Sequence, residues 1–235
     1  MTVSTRPVEP LPQGDEKRIA VEAMFDRIAP RYDRMNRVIS LGQDIRWRRR
    51  AVTALKLPPG ARVLDLACGT GDLCRTLAAV GHEPVGVDRS AGMLRAAATH
   101  APLVRADAER LPFRDASLDG IVCGFALRNF VDLGAVFGAC ARVLRPGGRF
   151  VALDAAVPSR LVLRFGNAVW FRGVVPLLGR VFAHDAGAYR YLPRSTAYLP
   201  DRDALLALVA SAGFHGVDRQ TMTGGSVQLL SGTRS

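Results

Sequence analysis

The sequence predicts an α/β fold, an open and mostly parallel seven-stranded sheet with helices on both faces and an antiparallel hairpin at its C-terminal end. Three observations predict it. Short apolar runs alternate with helical patterns from Arg62 to Asp154, a rhythm that calls for crossovers between parallel strands. A glycine-rich turn follows the first run, where an open sheet of this kind binds its ligand. The last two runs are joined through Gly224-Gly225, a connection too short for a crossover, so they pair antiparallel.

The elements follow in order. Met1 to Gln13 is rich in Pro and Thr without an apolar core, so residues 1–14 read as a disordered lead-in and not as a signal peptide. Residues 15–57 read as a helical cover. Met24, Phe25, Ile28 and Tyr32 share one stripe with Arg27, Arg31 and Arg34 off it, and Pro30 splits the pattern into two short helices. Pro58-Pro59-Gly60 marks a boundary, and 58–235 forms the main domain. Its predicted strands are 62–67, 83–87, 103–106, 118–125, 149–154, 214–220 and 226–230. Helices are expected over 73–80, 91–98, 133–144 and 201–212, the last capped by Asp201. Arg145-Pro146-Gly147-Gly148 reads as a tight turn. The apolar, Arg-punctuated stretch from Ala155 to Ala183 breaks the rhythm and reads as an inserted lid, bounded at about 155–198.

At 235 residues and 49% hydrophobic content, the chain can bury a substantial core. No apolar run reaches the roughly 20 residues that span a bilayer. Cys68, Cys74, Cys123 and Cys140 show no metal-ligand spacing and read as free thiols of a cytoplasmic protein; no metal site is expected. His82, His100, His184 and His215 are unpaired in the pattern. A net charge of +11, almost all of it arginine, admits a solvated basic surface, an anionic membrane or a nucleic acid as its reason.

The chemistry concentrates at strand ends. Asp65-Leu66-Ala67-Cys68-Gly69-Thr70-Gly71 closes the first strand, and Gly69 and Gly71 let backbone approach a ligand without Cβ atoms in the way. The spacing lacks the third glycine of a dinucleotide fingerprint. Asp65 can instead face the ammonium group of S-adenosylmethionine. Asp88, ending the second strand, can accept two ribose hydroxyls, and Asp107-Ala108 after the third can take the adenine amino group. Met93 and Phe125 are surfaces for the purine or ordinary core residues. S-adenosylmethionine is therefore the expected cofactor.

At this point the chain resembles the ubiquinone/menaquinone biosynthesis C-methyltransferase family, from about Val21 to the C-terminus. The resemblance rests on Tyr32-Asp33-Arg34-Met35-Asn36 with Ile39-Ser40 and Trp47, on Phe125-Ala126-Leu127-Arg128-Asn129, and on Arg142-Val143-Leu144-Arg145-Pro146-Gly147-Gly148. Ala188-Tyr189-Arg190-Tyr191-Leu192 and Thr223-Gly224-Gly225 are also similar. The chain departs from the family pattern at Asp44, where His is usual, at Asp154, where Glu is usual, and at Gly124, Ala126 and the Gln228–Gly232 tail. The resemblance implies a Rossmann-like class I methyltransferase acting on carbon of a prenylated aromatic quinol, demethylmenaquinol or a related ubiquinol precursor. A methyltransferase of secondary metabolism, on oxygen or carbon of an aromatic or polyketide-like ring, is the alternative.

A quinol carbon becomes nucleophilic when a neighbouring hydroxyl loses its proton, so a phenolate needs a cation. Arg128 is the candidate for that role, against the reading of a structural salt bridge. Asn129 either orients the ring oxygen or caps a helix, and Asp154 either contacts substrate or makes a turn. Tyr32, Asp33, Asn36 and Trp47 belong to the cover over cofactor and substrate. Trp170, Phe171 and Leu177 beside Arg164, Arg172 and Arg180 suit a pocket lid with peripheral contact to the inner face of the membrane as a second role. No nucleic-acid module is legible, and a homodimer stays open.

Overall fold

The computed structural model describes residues 12–158, 165, 191 and 194–235. Seven strands form one sheet: β1 (Arg62–Leu66), β2 (Glu83–Asp88), β3 (Leu103–Arg105), β4 (Leu118–Gly124), β5 (Leu144–Ala155), β6 (Phe214–Met222) and β7 (Val227–Arg234). Their spatial order is β3-β2-β1-β4-β5-β7-β6. β7 inserts between β5 and β6 and runs antiparallel to both, so it alone opposes the other six. The order reverses at β1, which puts the crevice between the carboxyl ends of β1 and β4, beside β2.

Both faces of the sheet are buried, which is why its central strands read as continuous apolar runs. β5 divides its side chains by the period of two: Phe150 and Ala152 enter one core, Val151 and Leu153 the other. Phe150 sits edge-on to Phe137 of α6 (Leu133–Val143) and tilted against Phe214, each at 5.6 Å between centroids. The helix Arg202–Ser211, labelled α7 here, joins this face through Leu205 and Val209 and is capped by Asp201, as expected. The opposite face packs against α3 (Gln43–Ala54) through Ala51 and Val52, with Leu55 just beyond it, and against α4 (Asp72–Ala78) through Leu73 and Leu77.

Two local expectations change. The 15–57 segment holds three helices instead of two: α1 (Gly14–Ile28), α2 (Tyr32–Ile39) and α3, with one 3-10 turn at Ala29–Arg31. Pro30 accounts for the first break. The second comes at Leu41-Gly42, both left-handed at φ 52 and 75°, a conformation glycine permits and leucine pays for. The Arg145–Gly148 turn lies inside β5 as a bulge: Leu144 pairs with Leu118 and Arg149 with Gly120, leaving four residues looped out. A Cβ on Gly148 would lie 2.8 Å from the Arg145 carbonyl oxygen, so that loop closes only on glycine. The lead-in up to residue 11 and most of the 155–198 lid lie outside the described residues, including Trp170, Phe171, Leu177, Arg164, Arg172, Arg180 and His184. Among the described residues no helix is long and apolar enough to cross a membrane, and no cluster of metal-binding side chains occurs.

Candidate active site

The turn after β1 is built by alternating handedness. Ala67, Gly69 and Gly71 all have left-handed φ (56, 53 and 81°), so the backbone folds tightly before α4 begins. The two glycines serve different ends. A Cβ on Gly69 would point between Tyr32 Cε1 and Met93 Sδ, each 3.9 Å away, where a cavity opens. A Cβ on Gly71 would meet Thr99 Cγ2 at 2.8 Å, so Gly71 serves packing and does not line the cavity. Thr70 is buried as well: its hydroxyl donates to Asp33.

Asp65 lies beneath this turn, 1% exposed. Its Oδ2 accepts from the Cys74 amide at 3.0 Å, while Oδ1 is buried without a partner. Burial pushes its carboxyl up to about 7, against the opposing pull of the Cys74 hydrogen bonds and Arg48. Asp88 accepts from the Gly69 and Ser90 amides, both at 2.8 Å, which ties the second strand end to the first turn; burial raises its pKa too. Asp107 accepts from the Glu109 amide and pairs with Arg89 at 2.7 Å. Asp88, Asp107 and Ala108 line the cavity with Met93, as do Phe125, Asn129 and Tyr32. Its empty volume, counting the open mouth, is about 830 Å³.

Arg128 and Asp154 do not line this cavity. Arg128 is 3% exposed, Asp154 fully buried, and they form an ion pair at the adjoining ends of β4 and β5. Nε of Arg128 also donates to Ser195 Oγ at 3.1 Å and Nη1 to the Phe125 carbonyl at 2.8 Å, while Asp154 accepts the Arg128 and Ala155 amides. Asp154, expected either to contact substrate or to make a turn, is held here in a pair: parallel pairing sets the two strand ends side by side, and a carboxylate buried there requires the cation. For Arg128 the salt bridge is the arrangement present. The pair braces Phe125, held at φ 60° above the cavity. Asn129 does face the cavity, and its Oδ1 accepts from the Tyr191 hydroxyl at 3.2 Å.

The cover residues divide. Tyr32 lines the cavity, and Asn36 hydrogen-bonds its side chain. Trp47 packs on Phe125 at 6.1 Å and donates to Thr223 Oγ1 at 2.9 Å. Asp33 reaches Thr70 and Arg75, away from the cavity.

Sequence reasoning missed the anchors of the cover. Arg18, Val21, Glu22 and Phe25 of α1 line the cavity, and Arg18 and Glu22 tie its rim to Glu109 and Arg89. Asp26 accepts from the Ser90 hydroxyl and the Gly92 amide, at 2.5 and 2.7 Å. Lys17 is 4% exposed, donates to the Phe130 carbonyl at 2.6 Å and lies 3.6 Å over the Tyr198 ring; burial lowers its pKa to about 8. Asp44 and Asp72 are bridged by both Arg37 and Arg48, joining α2 and α3 to α4. Charged residues on an amphipathic helix carry no sign of which will be buried, so only the acidic first turns hinted at these contacts.

The residues present fit S-adenosylmethionine. A glycine opens the cavity wall between an aromatic and a thioether, carboxylates line it at the second and third strand ends, and Asp65, beneath the turn and outside the lining, keeps a buried carboxylate oxygen without a partner that suits a cationic head group. The fold is that of class I methyltransferases. A SAM-dependent methyltransferase from Thermotoga maritima superposes with a TM-score of 0.62 at 19% identity, over 91% of this chain and 99% of that one.

The chain belongs to the ubiE/COQ5 methyltransferase family, whose model matches residues 13–234. It is 43% identical to a demethylmenaquinone methyltransferase of Thermus thermophilus over 90% of this chain and all of that protein. It is 40% identical to a ubiquinone/menaquinone biosynthesis C-methyltransferase of Syntrophotalea carbinolica, over 90% and 93% of the two chains. The protein is thus a methyltransferase that uses S-adenosylmethionine.

Proposed function

We propose that this enzyme methylates a ring carbon of a prenylated quinol, demethylmenaquinol or a related ubiquinol precursor, at the inner face of the membrane in which that quinol dissolves. The names of its relatives favour this substrate over a secondary metabolite. S-adenosylmethionine, when bound, supplies a methyl group on a positively charged sulfur. Asp65 would attract its ammonium group, Asp88 its ribose hydroxyls and Asp107 its adenine amine, with Met93, Ala108 and Phe125 around the purine. Tyr32 and Asn129 would hold the quinol ring in line, and Trp47 and Phe125 would wall it from water, since alignment and exclusion of water are most of what such a displacement asks of a protein.

The observation that supports the reading is the place of Arg128, a buried cation whose Nη1 donates at 2.8 Å to the carbonyl of Phe125 in the cavity wall. Tyr191 and Tyr32 are phenols beside the cavity whose pKa values are raised mainly by burial; the buried guanidinium pulls both the other way, at Tyr32 behind the Asn36 hydrogen bond and Arg48, and at Tyr191 against Tyr198 and Asp154. A quinol hydroxyl in the same place would feel the same cation. Arg128 stays protonated and takes no proton itself; it stabilises the phenolate while Asp154 keeps it fixed, and a carboxylate or water takes the hydroxyl proton and, after methyl transfer, the proton that leaves the ring carbon.

Two measurements test this. Labelled S-adenosylmethionine is incubated in parallel with reduced demethylmenaquinone, a demethylated ubiquinol precursor and bulk RNA. Label is expected in a quinol; label in RNA alone overturns the substrate class. Arg128→Gln is expected to lower kcat by about a hundredfold or more with cofactor affinity kept, whereas equal loss of cofactor binding would take Arg128 out of the chemistry.

A further inference from the structure

Residues 31–50 hold seven arginines and two aspartates, a net +5 in twenty residues out of +11 for the chain. The internal pairs account for little of it. Asp44 is buried between Arg37 and Arg48, and Asp33 is engaged with Thr70 and Arg75. Arg31, Arg34, Arg46, Arg49 and Arg50 are all exposed, and none takes part in an ion pair among the described residues. The one carboxylate of this segment that reaches the surface, Asp33, is paired with Arg75.

Two large aliphatic side chains stand among these cations. Leu41, at the turn between α2 and α3, is 72% exposed, and Ile45, in the first turn of α3, is 39% exposed. Along α3, Ile45, Arg46, Arg49 and Arg50 fall within about 140° of arc, while Asp44, Arg48, Ala51 and Val52 are buried on the other side. Leucine at a left-handed position carries backbone strain, and at 72% exposed it gains little packing in return. Trp47 of the same helix packs on Phe125, which lines the cavity, so this surface adjoins the substrate end of the site.

We propose that the α2–α3 turn is the surface with which the enzyme docks on an anionic lipid bilayer. Leu41 and Ile45 enter the acyl boundary, and Arg34, Arg46, Arg49 and Arg50 lie against the phosphate headgroups. The aliphatic pair favours lipid over nucleic acid: an arginine face alone would serve a phosphodiester backbone, but exposed leucine and isoleucine gain nothing from it, whereas in a bilayer they leave water. This inference rests on the membrane-dissolved substrate proposed above, and it names the surface that delivers the enzyme to it.

The test is co-sedimentation of the full chain with vesicles of phosphatidylcholine alone and of equal parts phosphatidylcholine and phosphatidylglycerol. Binding is expected only to the mixed vesicles, and to weaken at high salt. Arg46→Gln/Arg49→Gln/Arg50→Gln should bind on the order of a hundredfold more weakly, about fivefold for each arginine removed from an anionic surface. Leu41→Asn/Ile45→Gln, with asparagine chosen because it tolerates the left-handed region, should also lose binding at an unchanged melting temperature. Vesicle binding that survives both variants puts docking elsewhere and overturns the proposal, as does tighter binding of bulk RNA than of mixed vesicles. Both variants should methylate a short-tailed quinol in detergent as the wild type does. Absence of methylation in every protein would count against the quinol, while the vesicle result would still decide the surface.

Discussion

Asp65 shows how one side chain can trade stability for binding. Its folded pKa is raised to about 7 by burial, so the native state holds this proton more tightly than the unfolded chain. The resulting contribution to stability is present at acid pH and is lost as the pH rises through about 7. Asp65→Asn removes that penalty: the apoprotein is expected to be more stable than wild type at about pH 8, by on the order of a kcal/mol or more, read as a higher Tm. Cofactor binding moves the opposite way. Wild-type affinity should fall as the pH drops from about 8 to about 6, and the asparagine variant should bind weakly with no such dependence. Calorimetric titration that finds the wild-type affinity flat over that range would separate Asp65 from the ammonium. The residue's place at a strand end, ahead of Gly69 and Gly71, was legible in the sequence. Its unpartnered oxygen was not, because satisfaction of a buried atom depends on every element packed around it.

At the scale of elements, the N-terminal helices are joined to the sheet domain by side chains that meet only after folding. Gly92 lies at the start of α5 (Ala91–Arg95), and a Cβ there would stand 2.8 Å from the Asp26 Cα and side-chain oxygen of α1. Gly92→Ala should therefore push α1 off the cavity rim, weakening cofactor binding and lowering Tm by about 2–4 °C for each kcal/mol lost. Gly138→Ala in α6, exposed with nothing within 4 Å of the new methyl, is the control and should stabilise by about 0.5–1 kcal/mol. Equal behaviour of the two variants would mean that α1 does not depend on this close approach. The same scale holds the errors of the sequence reading. Periodicity predicted the strands to within a few residues, since each strand carries its own apolar run; it missed the break at Leu41-Gly42 and the β5 bulge, which depend on local handedness and on pairing with a distant strand.

The whole molecule encloses its thiols. Cys74, Cys123 and Cys140 are fully buried, Cys68 is 7% exposed, and burial raises the pKa of all four, Cys140 to about 12. A thiol kept protonated and out of solvent does not react. The native protein is expected to leave all four unmodified by a thiol reagent on the time scale in which denaturant exposes all four, and the rate of modification should follow unfolding. Rapid modification of one cysteine in the native state would mark a local opening, and Cys68, in the cofactor turn, is where it should be sought.

By itself the sequence determined the strand–helix rhythm, the acidic residues at the ends of β1, β2 and β3 and the glycine turn between them, because these are local: a strand end and a turn are written in consecutive residues. Only the tertiary structure decided which charges became buried pairs, that β7 would enter the sheet between β5 and β6, and that Arg128 would be clasped by Asp154 beneath the cavity instead of lining it. Those outcomes follow from contacts between residues far apart in the chain, where the cost of burying a charge is settled by whichever partner the fold brings within reach.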